Sequence, residues 1–301
     1  MNKLIFPILA IVFVSACIGG GDQTTVSSGQ GLEITGFTAD QTEIQSGRTL
    51  RISMDVENLG SATVQNEDSL AFLIIPGDWS FSDSNEFQNF GKDIDPADSV
   101  RGIPAETDQV VWRLLAPTII SGQTRTDEFE GRVYYDYETR VTGNAWLYSE
   151  TESEAVRSSG GTLSKSSFTS SEGPVKVVVS ISPDPVVVSS SDRTFTMTLK
   201  ITNSGGGIVY KRSAIDYLSG NIGFAPEDLN IVDIDIDSDF TVSSECAGEQ
   251  ELIRGKDLTV ICDLTASSSQ IPAAKQSFPI EITVDYGYFE SKTLSVNVLG
   301  R

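Results

Sequence analysis

The most informative absence in this 301-residue chain is histidine, which does not occur at all. Without histidine the chain cannot build Ser-His-Asp or Cys-His catalytic sets, histidine general bases, or histidine-ligated zinc and copper sites. Cysteine and methionine occur only three times each, which leaves little soft-metal chemistry. Basic residues number 21 against 42 acidic ones. This balance argues against nucleic acid as a partner, because phosphate binding needs clustered lysine and arginine.

Residues 1–16 have the pattern of a secretory signal peptide. A short positive start is followed by an uncharged apolar run, residues 4–14, that is too short to cross a bilayer as a helix. The run ends in Val-Ser-Ala-Cys at residues 14–17, which resembles the lipobox of bacterial and archaeal lipoproteins. The resemblance implies cleavage before Cys17, a lipid on its thiol, and a position on the extracytoplasmic side of the cell membrane. Plain secretion with an incidental cysteine is the alternative.

Residues 17–30 are rich in Gly, Ser and Thr, which predicts a flexible lipidated tether. Beyond them, apolar and polar residues alternate, as is typical of β-strands. The alternating segments 50–56 and 195–201 are both preceded by Arg-Thr and followed by Asn-x-Gly, at a constant spacing of 145 residues. A later pair of segments, 133–137 and 282–286, repeats at a spacing of 149. The sequence therefore predicts two copies of one unit, 31–150 and 173–301, joined by a Ser/Thr-rich linker, 151–172.

The order of strand, Asn-x-Gly turn and late Tyr-rich strand resembles extracellular β-sandwich modules of the cell-adhesion-related, CARDB-like type, which occur in archaeal and bacterial surface proteins. This resemblance implies an all-β fold with two tandem immunoglobulin-like sandwiches, and a structural or adhesion-like binding role in the cell envelope. It implies no catalytic residues. The Cys…Trp…Cys arrangement of antibody domains is absent, because residues 31–150 contain no cysteine.

Cys246 and Cys262 are the two cysteines of the folded part, and in an exported protein such a pair predicts a disulfide. Each falls on the apolar parity of its own predicted strand. The two strands are expected to form a hairpin centred on Arg254 and Gly255, with the glycine in the left-handed conformation. Two buried free thiols are the alternative.

Two clusters of aspartates make calcium the one cofactor to consider, since calcium prefers several oxygen ligands. One cluster alternates with isoleucine on a predicted strand, and the other lies in a proline-containing loop. The alternative for the strand is a solvated face that discourages edge-to-edge aggregation. The residues are Asp233, Asp235, Asp237 and Asp239 in the strand, and Asp93, Asp95 and Asp98 in the loop.

Aromatic residues crowd a polar stretch, residues 76–92, and offer either a carbohydrate or protein contact or a plug for the open end of a sandwich. The plug is the favoured interpretation. The aromatic residues are Trp79, Phe81, Phe87 and Phe90. Further along, Trp112 is expected in the core, as are Tyr135 and Tyr137, whereas the alternate parity of Tyr134 predicts that it faces outward.

The sequence contains no Gly-x-Ser-x-Gly motif, glycine-rich phosphate loop or metal-ligand motif, so we predict that the protein is not an enzyme. The expected function is that of a membrane-anchored envelope module whose partner is an unidentified envelope protein or glycan. Alternatives are a carbohydrate- or calcium-binding surface protein, or a hydrolase that uses two of the many carboxylates. A solute-binding lipoprotein is disfavoured, since those proteins alternate strands with helices.

Overall fold

A computed structural model describes residues 25–26, 30–220 and 222–301, and these residues confirm the predicted all-β fold. They form nineteen strands, one α-helix and five short 3-10 turns. The predicted signal peptide, Cys17 and most of the tether lie outside the described residues. Within them, no helix has the length and apolar character needed to span a bilayer.

The strands of residues 25–149 are β1 (Thr25–Val26), β2 (Leu32–Ala39), β3 (Glu43–Gln45), β4 (Thr49–Asn58), β5 (Ser69–Ile74), β6 (Ser80–Phe81), β7 (Phe87–Gln88), β8 (Thr107–Leu115) and β9 (Thr124–Ser149). The helix α1 (Glu150–Ser158) follows. The remaining strands are β10 (Ser167–Ser170), β11 (Val175–Ser182), β12 (Val186–Val188), β13 (Thr194–Asn203), β14 (Ile208–Tyr210), β15 (Ile231–Ser238), β16 (Thr241–Val242), β17 (Gly248–Glu251), β18 (Asp257–Thr265) and β19 (Lys275–Leu299). The 3-10 turns are Asn66–Asp68, Arg212–Ala214, Pro226–Asp228, Ser244–Cys246 and Ser268–Gln270.

Two four-stranded sheets repeat the same topology. One has the order β2-β4-β8-β6 and the other β11-β13-β18-β16. In each, the strand recognised from its alternation is the second, β4 or β13, and its apolar side chains are buried on one face. The duplication that the sequence indicates is therefore a duplication of sheet topology.

A third, larger sheet is built around two long strands. β9 and β19 pair antiparallel over 25 residue pairs, from Tyr148 beside Lys275 to Thr124 beside Leu299. Each long strand alternates buried and exposed side chains over most of its length, so one face of the pair is apolar throughout. At about 3.3 Å per residue, the ladder is about 80 Å long.

Each long strand is flanked by strands of both copies. The first half of β9 pairs with β5, but its second half pairs with β10 of the 151–172 segment and with β12 of the second copy. In the same way, the first half of β19 pairs with β15 and its last three residues pair with β3. The parallel pairings of β3 with the end of β19 and of β12 with the end of β9 are equivalent. The copies thus exchange half-strands, and their apolar side chains form one continuous core.

Residues 151–172, for which the sequence predicts a linker, contain most of α1 and all of β10. The Ser149 hydroxyl caps the helix by accepting a hydrogen bond of 3.2 Å from the Glu152 backbone N–H. β10 then pairs with residues 141–144 of β9. This segment therefore contains a helix and a strand that pairs with β9 on one side and β1 on the other, rather than a free tether.

Candidate functional site

Four tyrosines mark the centre of the long ladder, where Tyr137 lies beside Tyr286. Tyr135, Tyr137, Tyr286 and Tyr288 are all buried, and we call this group the tyrosine seam. Adjacent rings lie with centroids 5.8 to 6.5 Å apart, in tilted or edge-on contacts. Two of the four are the core tyrosines that the sequence predicts, and the other two come from the second copy.

The tyrosine seam holds the Asn-x-Gly turns of both copies. The Tyr137 hydroxyl accepts hydrogen bonds of 2.8 and 3.1 Å from the backbone N–H groups of Ser61 and Ala62. The Tyr288 hydroxyl accepts one of 2.7 Å from the N–H of Gly207. Each turn therefore docks its backbone onto a tyrosine at the seam.

The asparagines of these turns carry out equivalent roles. The side-chain amide of Asn58 donates to the carbonyls of Ala62 and Ile94, at 2.8 and 2.7 Å. That of Asn203 donates to the carbonyls of Gly207 and Gly255, at 3.1 and 3.2 Å. In both copies one amide closes the turn and ties it to a distant loop, which explains why the pattern recurs in the sequence.

The opposite face of the large sheet carries a second apolar cluster. Tyr134 does point away from the core, as its parity predicts, but it is only 1% exposed. Residues 210–220 and 222–229, which we call the cover segment, fold over it. The Tyr134 ring contacts Phe289 with a centroid distance of 4.9 Å and also lies against Tyr210 and Phe224. The prediction that Tyr134 faces outward is therefore wrong in one respect: its side chain is not exposed to solvent, because the cover segment buries it.

Arg212 of the cover segment binds carboxylates from both copies. Its Nε lies 3.0 Å from Asp136 of β9, and its Nη1 lies 2.8 Å from Asp285 of β19. Asp68 lies 3.8 Å from Nη2. The other oxygen of Asp136 accepts a 2.6 Å hydrogen bond from the Tyr217 hydroxyl. The cover segment is therefore fastened to the sheet by one arginine and one tyrosine.

Burial raises the pKa of Asp136 from its ordinary 3.8 to about 6, although the hydrogen bond from Tyr217 and the charge of Arg212 oppose the rise. Burial likewise raises the pKa of Asp285, against the opposing charge of Arg212. A carboxylic acid with a pKa near 6 is suited to general acid catalysis in principle. Here both oxygens of Asp136 are held by protein groups, so its evident role is to anchor the cover segment.

This raised pKa predicts a stability change with pH. Because the folded protein holds the Asp136 proton more tightly than the unfolded chain does, stability falls as pH rises from about 4 through about 6. Asp136→Asn does not titrate, so we expect the wild type to lose roughly 2 kcal/mol relative to this variant between pH 4 and pH 7. Urea unfolding at both pH values measures the difference.

The control for this prediction is Glu227→Gln, which removes the same charge from an exposed position in the cover segment. Its stability relative to the wild type should change little between the two pH values. The raised pKa of Asp136 would be contradicted if the difference in unfolding free energy between wild type and Asp136→Asn did not change with pH. It would also be contradicted if the wild type gained stability relative to the variant as pH rises.

A polar pocket of roughly 510 Å³ opens beside this anchor. It lies beside residues 136–140 of β9, between the part of this strand that pairs with β5 and the part that pairs with β10. The Asn-x-Gly turn of the first copy and the cover segment of the second copy both line it. Asp68, Asp136 and Glu138 supply carboxylates, and Arg140 and Arg212 supply guanidinium groups. The charges compensate one another: Arg140, for example, lies 3.2 Å from Glu138. The pocket therefore offers hydrogen bonds but no concentration of charge of one sign.

Cys246 and Cys262 are bonded, with their Cα atoms 5.6 Å apart. The hairpin expected around them does not form, because β17 pairs with β15 in the large sheet while β18 pairs with β13. The bond instead ties the 3-10 turn between the two sheets to β18. The connecting turn still has the expected left-handed glycine, with φ of 70° at Gly255 and 54° at Arg254.

The aspartates proposed for calcium are held separately in the loop cluster. Asp93 accepts a 2.9 Å hydrogen bond from the Asn66 backbone, and Asp95 accepts one of 2.7 Å from the Thr63 hydroxyl. Asp98 pairs with a nearby arginine in its own turn.

In the strand cluster, Asp233, Asp235 and Asp237 are exposed along one face of β15, with Asp239 just beyond its end. Among the described residues, no group of three or more carboxylate or thiol side chains is arranged to hold a metal ion.

The aromatic residues of the 76–92 stretch fold back onto the protein. Trp79 and Phe90 are 4% and 3% exposed. The Trp79 indole N–H donates to Asp127 at 2.8 Å, and its ring contacts Phe129 edge-on at 4.9 Å. Phe81 packs against the main core and Phe87 against the cluster under the cover segment. The stretch therefore folds back onto the protein, and Trp79 and Phe90 are buried rather than available for a surface contact.

Sequence reasoning missed Arg212 and Tyr217, which sit in an irregular segment with no repeat in the first copy. It also missed the purpose of the glycines in the Asn-x-Gly turns. A side chain at Gly60 would collide with the Tyr137 hydroxyl, and one at Gly205 with the Tyr288 hydroxyl. The two turns dock on tyrosines that are not equivalent in the repeat, since Gly60 precedes Tyr137 by 77 residues and Gly205 precedes Tyr288 by 83, so the spacing of the repeat did not indicate these contacts.

The chain matches no known family model, and no curated protein matches it. Three solved structures show a weak likeness. The C-terminal globular domain of an oligosaccharyltransferase from Pyrococcus abyssi shares 8% identity over 86% of this chain and 46% of that one, with a TM-score of 0.19. The native conformation of E. coli alpha-2-macroglobulin shares 10% over 91% of this chain and 17% of that one, at 0.19.

The third structure, the collagen adhesin of S. aureus, shares 12% identity over 94% of this chain and 96% of that one, with a TM-score of 0.15. The chain spans less than half the length of the first two structures. At these scores the likeness carries no argument about function.

Proposed function

We propose that the protein is a lipid-anchored extracytoplasmic module that presents an interlocked pair of β-sandwiches for structural or binding contacts in the cell envelope. The observation that carries the proposal is the ladder of β9 and β19, which spans both copies without a break. A module of this kind transmits its orientation from one end to the other, because no single connecting segment can bend between the copies.

The compartment is supported by two independent features. The Val-Ser-Ala-Cys segment at residues 14–17 fits a lipobox, and lipidation would hold a chain of this strong negative charge at a membrane. The disulfide of Cys246 and Cys262 suits an oxidising environment outside the cytoplasm. The partner at the surface is an envelope protein or glycan.

Mass spectrometry of the membrane fraction tests the anchor. The expected mature N-terminus is Cys17 carrying lipid, and Cys17→Ser should move the protein into the soluble fraction. Ser15→Thr, two residues before the cysteine, serves as the control that leaves the thiol in place. A Cys17→Ser protein that remained on membranes as firmly as the parent would refute lipid anchoring.

A further inference from the structure

A second pocket, of roughly 770 Å³, lies at one end of the second copy. Its walls come from the end of β13, the turn after it, and the left-handed turn that precedes β18. Three basic side chains line it, Lys200, Arg254 and Lys256, with one carboxylate, Asp257. We call this site the basic pocket.

The charge of the basic pocket is uncompensated. Lys200, Arg254 and Lys256 are exposed, and none of them forms an ion pair with any residue in the described part of the chain. Of the eleven other arginines, six lie within 4 Å of a carboxylate, among them Arg212 and Arg140. In a chain with twice as many acidic as basic residues, three unpaired cations in one concave site attract anions from solution.

The equivalent end of the first copy has the opposite charge. At the spacing of 145 residues, Asp55 stands where the second copy has Lys200, and Glu57 where it has Thr202. The neighbouring asparagines, Asn58 and Asn203, perform the same structural task in both. The scaffold is thus kept while the charge at its end is reversed, as expected if the second copy has acquired a contact that the first does not make.

Neutral polar groups complete the basic pocket. Asn230 is half-buried, with φ of 65°, and its side-chain amide makes no hydrogen bond among the residues that the structure describes. It lies against Gly255 of the turn that presents Arg254 and Lys256. An amide can donate to one hydroxyl and accept from another, and Ile208, 43% exposed, offers an apolar surface at the rim.

We propose that the basic pocket binds a short segment of an acidic oligosaccharide, one that carries carboxylate or sulfate groups. The cations match its anionic groups, Asn230 and Asp257 match its hydroxyls, and the volume suits a ligand far larger than a single inorganic anion. The inference deepens the proposed envelope role by naming a class of partner, but it does not depend on the lipid anchor.

Calorimetric titration of the purified protein tests the inference with four probes: a galacturonate oligosaccharide, a sulfated oligosaccharide of equal length, a neutral one, and inorganic sulfate. We expect at least one acidic oligosaccharide to bind, more weakly as salt increases, and the neutral one and the free ion to bind far less. Which acidic probe binds more tightly identifies the anionic group.

The decisive variant is Arg254→Gly with Lys256→Gln. Glycine accepts the left-handed conformation at residue 254, so the turn should survive and the fold can be verified by circular dichroism. Binding should weaken about tenfold or more, whereas Arg157→Gln, which removes a charge on α1 outside the pocket, should leave it unchanged.

The inference is overturned if no acidic oligosaccharide binds, if the neutral probe or free sulfate binds equally well, or if the double variant retains full affinity. An acidic peptide that bound in preference to both acidic sugars would also overturn it. None of these results would refute the proposed lipid anchor, because membrane fractionation of Cys17→Ser tests the anchor independently.

Discussion

Cleavage of the chain between Gly160 and Gly161, at an inserted protease site, should leave two fragments that remain bound to each other. The site is exposed and lies in the turn after α1, where no strand pairing is interrupted. The fragments should elute together from a sizing column at the volume of the intact protein, and separate only in denaturant.

The physical reason is the exchange of half-strands. Separation would expose apolar side chains that each fragment buries in the other copy. At about 1.5–3 kcal/mol for each fully buried large side chain, the cost is of the order of 10 kcal/mol, comparable to the whole stability of a domain. The side chains are Val141, Ala145 and Leu147 of β9, and Val296 and Val298 of β19.

Fragments that parted at micromolar concentration while each kept a native β-sheet spectrum would show two independent domains. Separate expression provides a second reading. Residues 30–160 alone should fail to give a folded monomer, since the end of β9 would lack β10 and β12.

The second large effect is expected at the turn glycines. Gly60→Ala should destabilise the protein by roughly 3 kcal/mol, because its methyl group would overlap the Tyr137 hydroxyl and the backbone carbonyl of Gln30. The hydroxyl cannot yield easily, since it accepts hydrogen bonds from Ser61 and Ala62. Thermal and urea unfolding measure the loss.

Gly205→Ala should behave alike in the second copy, through the Tyr288 hydroxyl. Gly206→Ala is the matched control, because no atom lies within 4 Å of the point where its methyl group would sit and its φ is not left-handed. Adding Tyr288→Phe to Gly205→Ala should restore part of the loss. Equal losses at positions 205 and 206 would contradict docking of this turn on the tyrosine seam.

The elements predicted well from the sequence were those set by local pattern. The alternation of apolar and polar residues in β4 and β13 gives each strand one apolar face, whichever strand it pairs with. It was therefore enough to predict that these segments are strands and which of their side chains are buried. The repeated Asn-x-Gly turns revealed the duplication, because turn residues are selected by backbone geometry. The separation of Cys246 and Cys262 was sufficient to suggest their bond.

The exchange of half-strands could not be predicted in this way. The second half of β9 has the same alternation whether it pairs within its own copy or with the other, so pattern alone does not choose a partner. The sequence points the other way, since Gly143-Asn144 is a pair typical of turns, yet the 26-residue strand runs straight through it. Tyr134 was misjudged for a related reason: parity gives the face of a sheet but not what covers that face.

The most direct test of the interlocked architecture is a disulfide across the ladder. Thr126 and Asn297 face each other, with Oγ1 and Oδ1 2.8 Å apart. The Asn297 N–H donates to Thr42, away from β9, so the pair is of the closer, non-hydrogen-bonded kind that suits a disulfide. Thr126→Cys with Asn297→Cys is introduced into the cleavable chain, with Cys17→Ser to remove the remaining thiol.

After oxidation of the folded protein and cleavage at residue 160, we expect one band on a denaturing gel without reductant and two bands with it. The off-register pair of Thr126→Cys with Ser295→Cys should crosslink far less. Two fragments without reductant, with both cysteines of the Thr126→Cys, Asn297→Cys pair free to alkylate, would contradict the interlocked architecture.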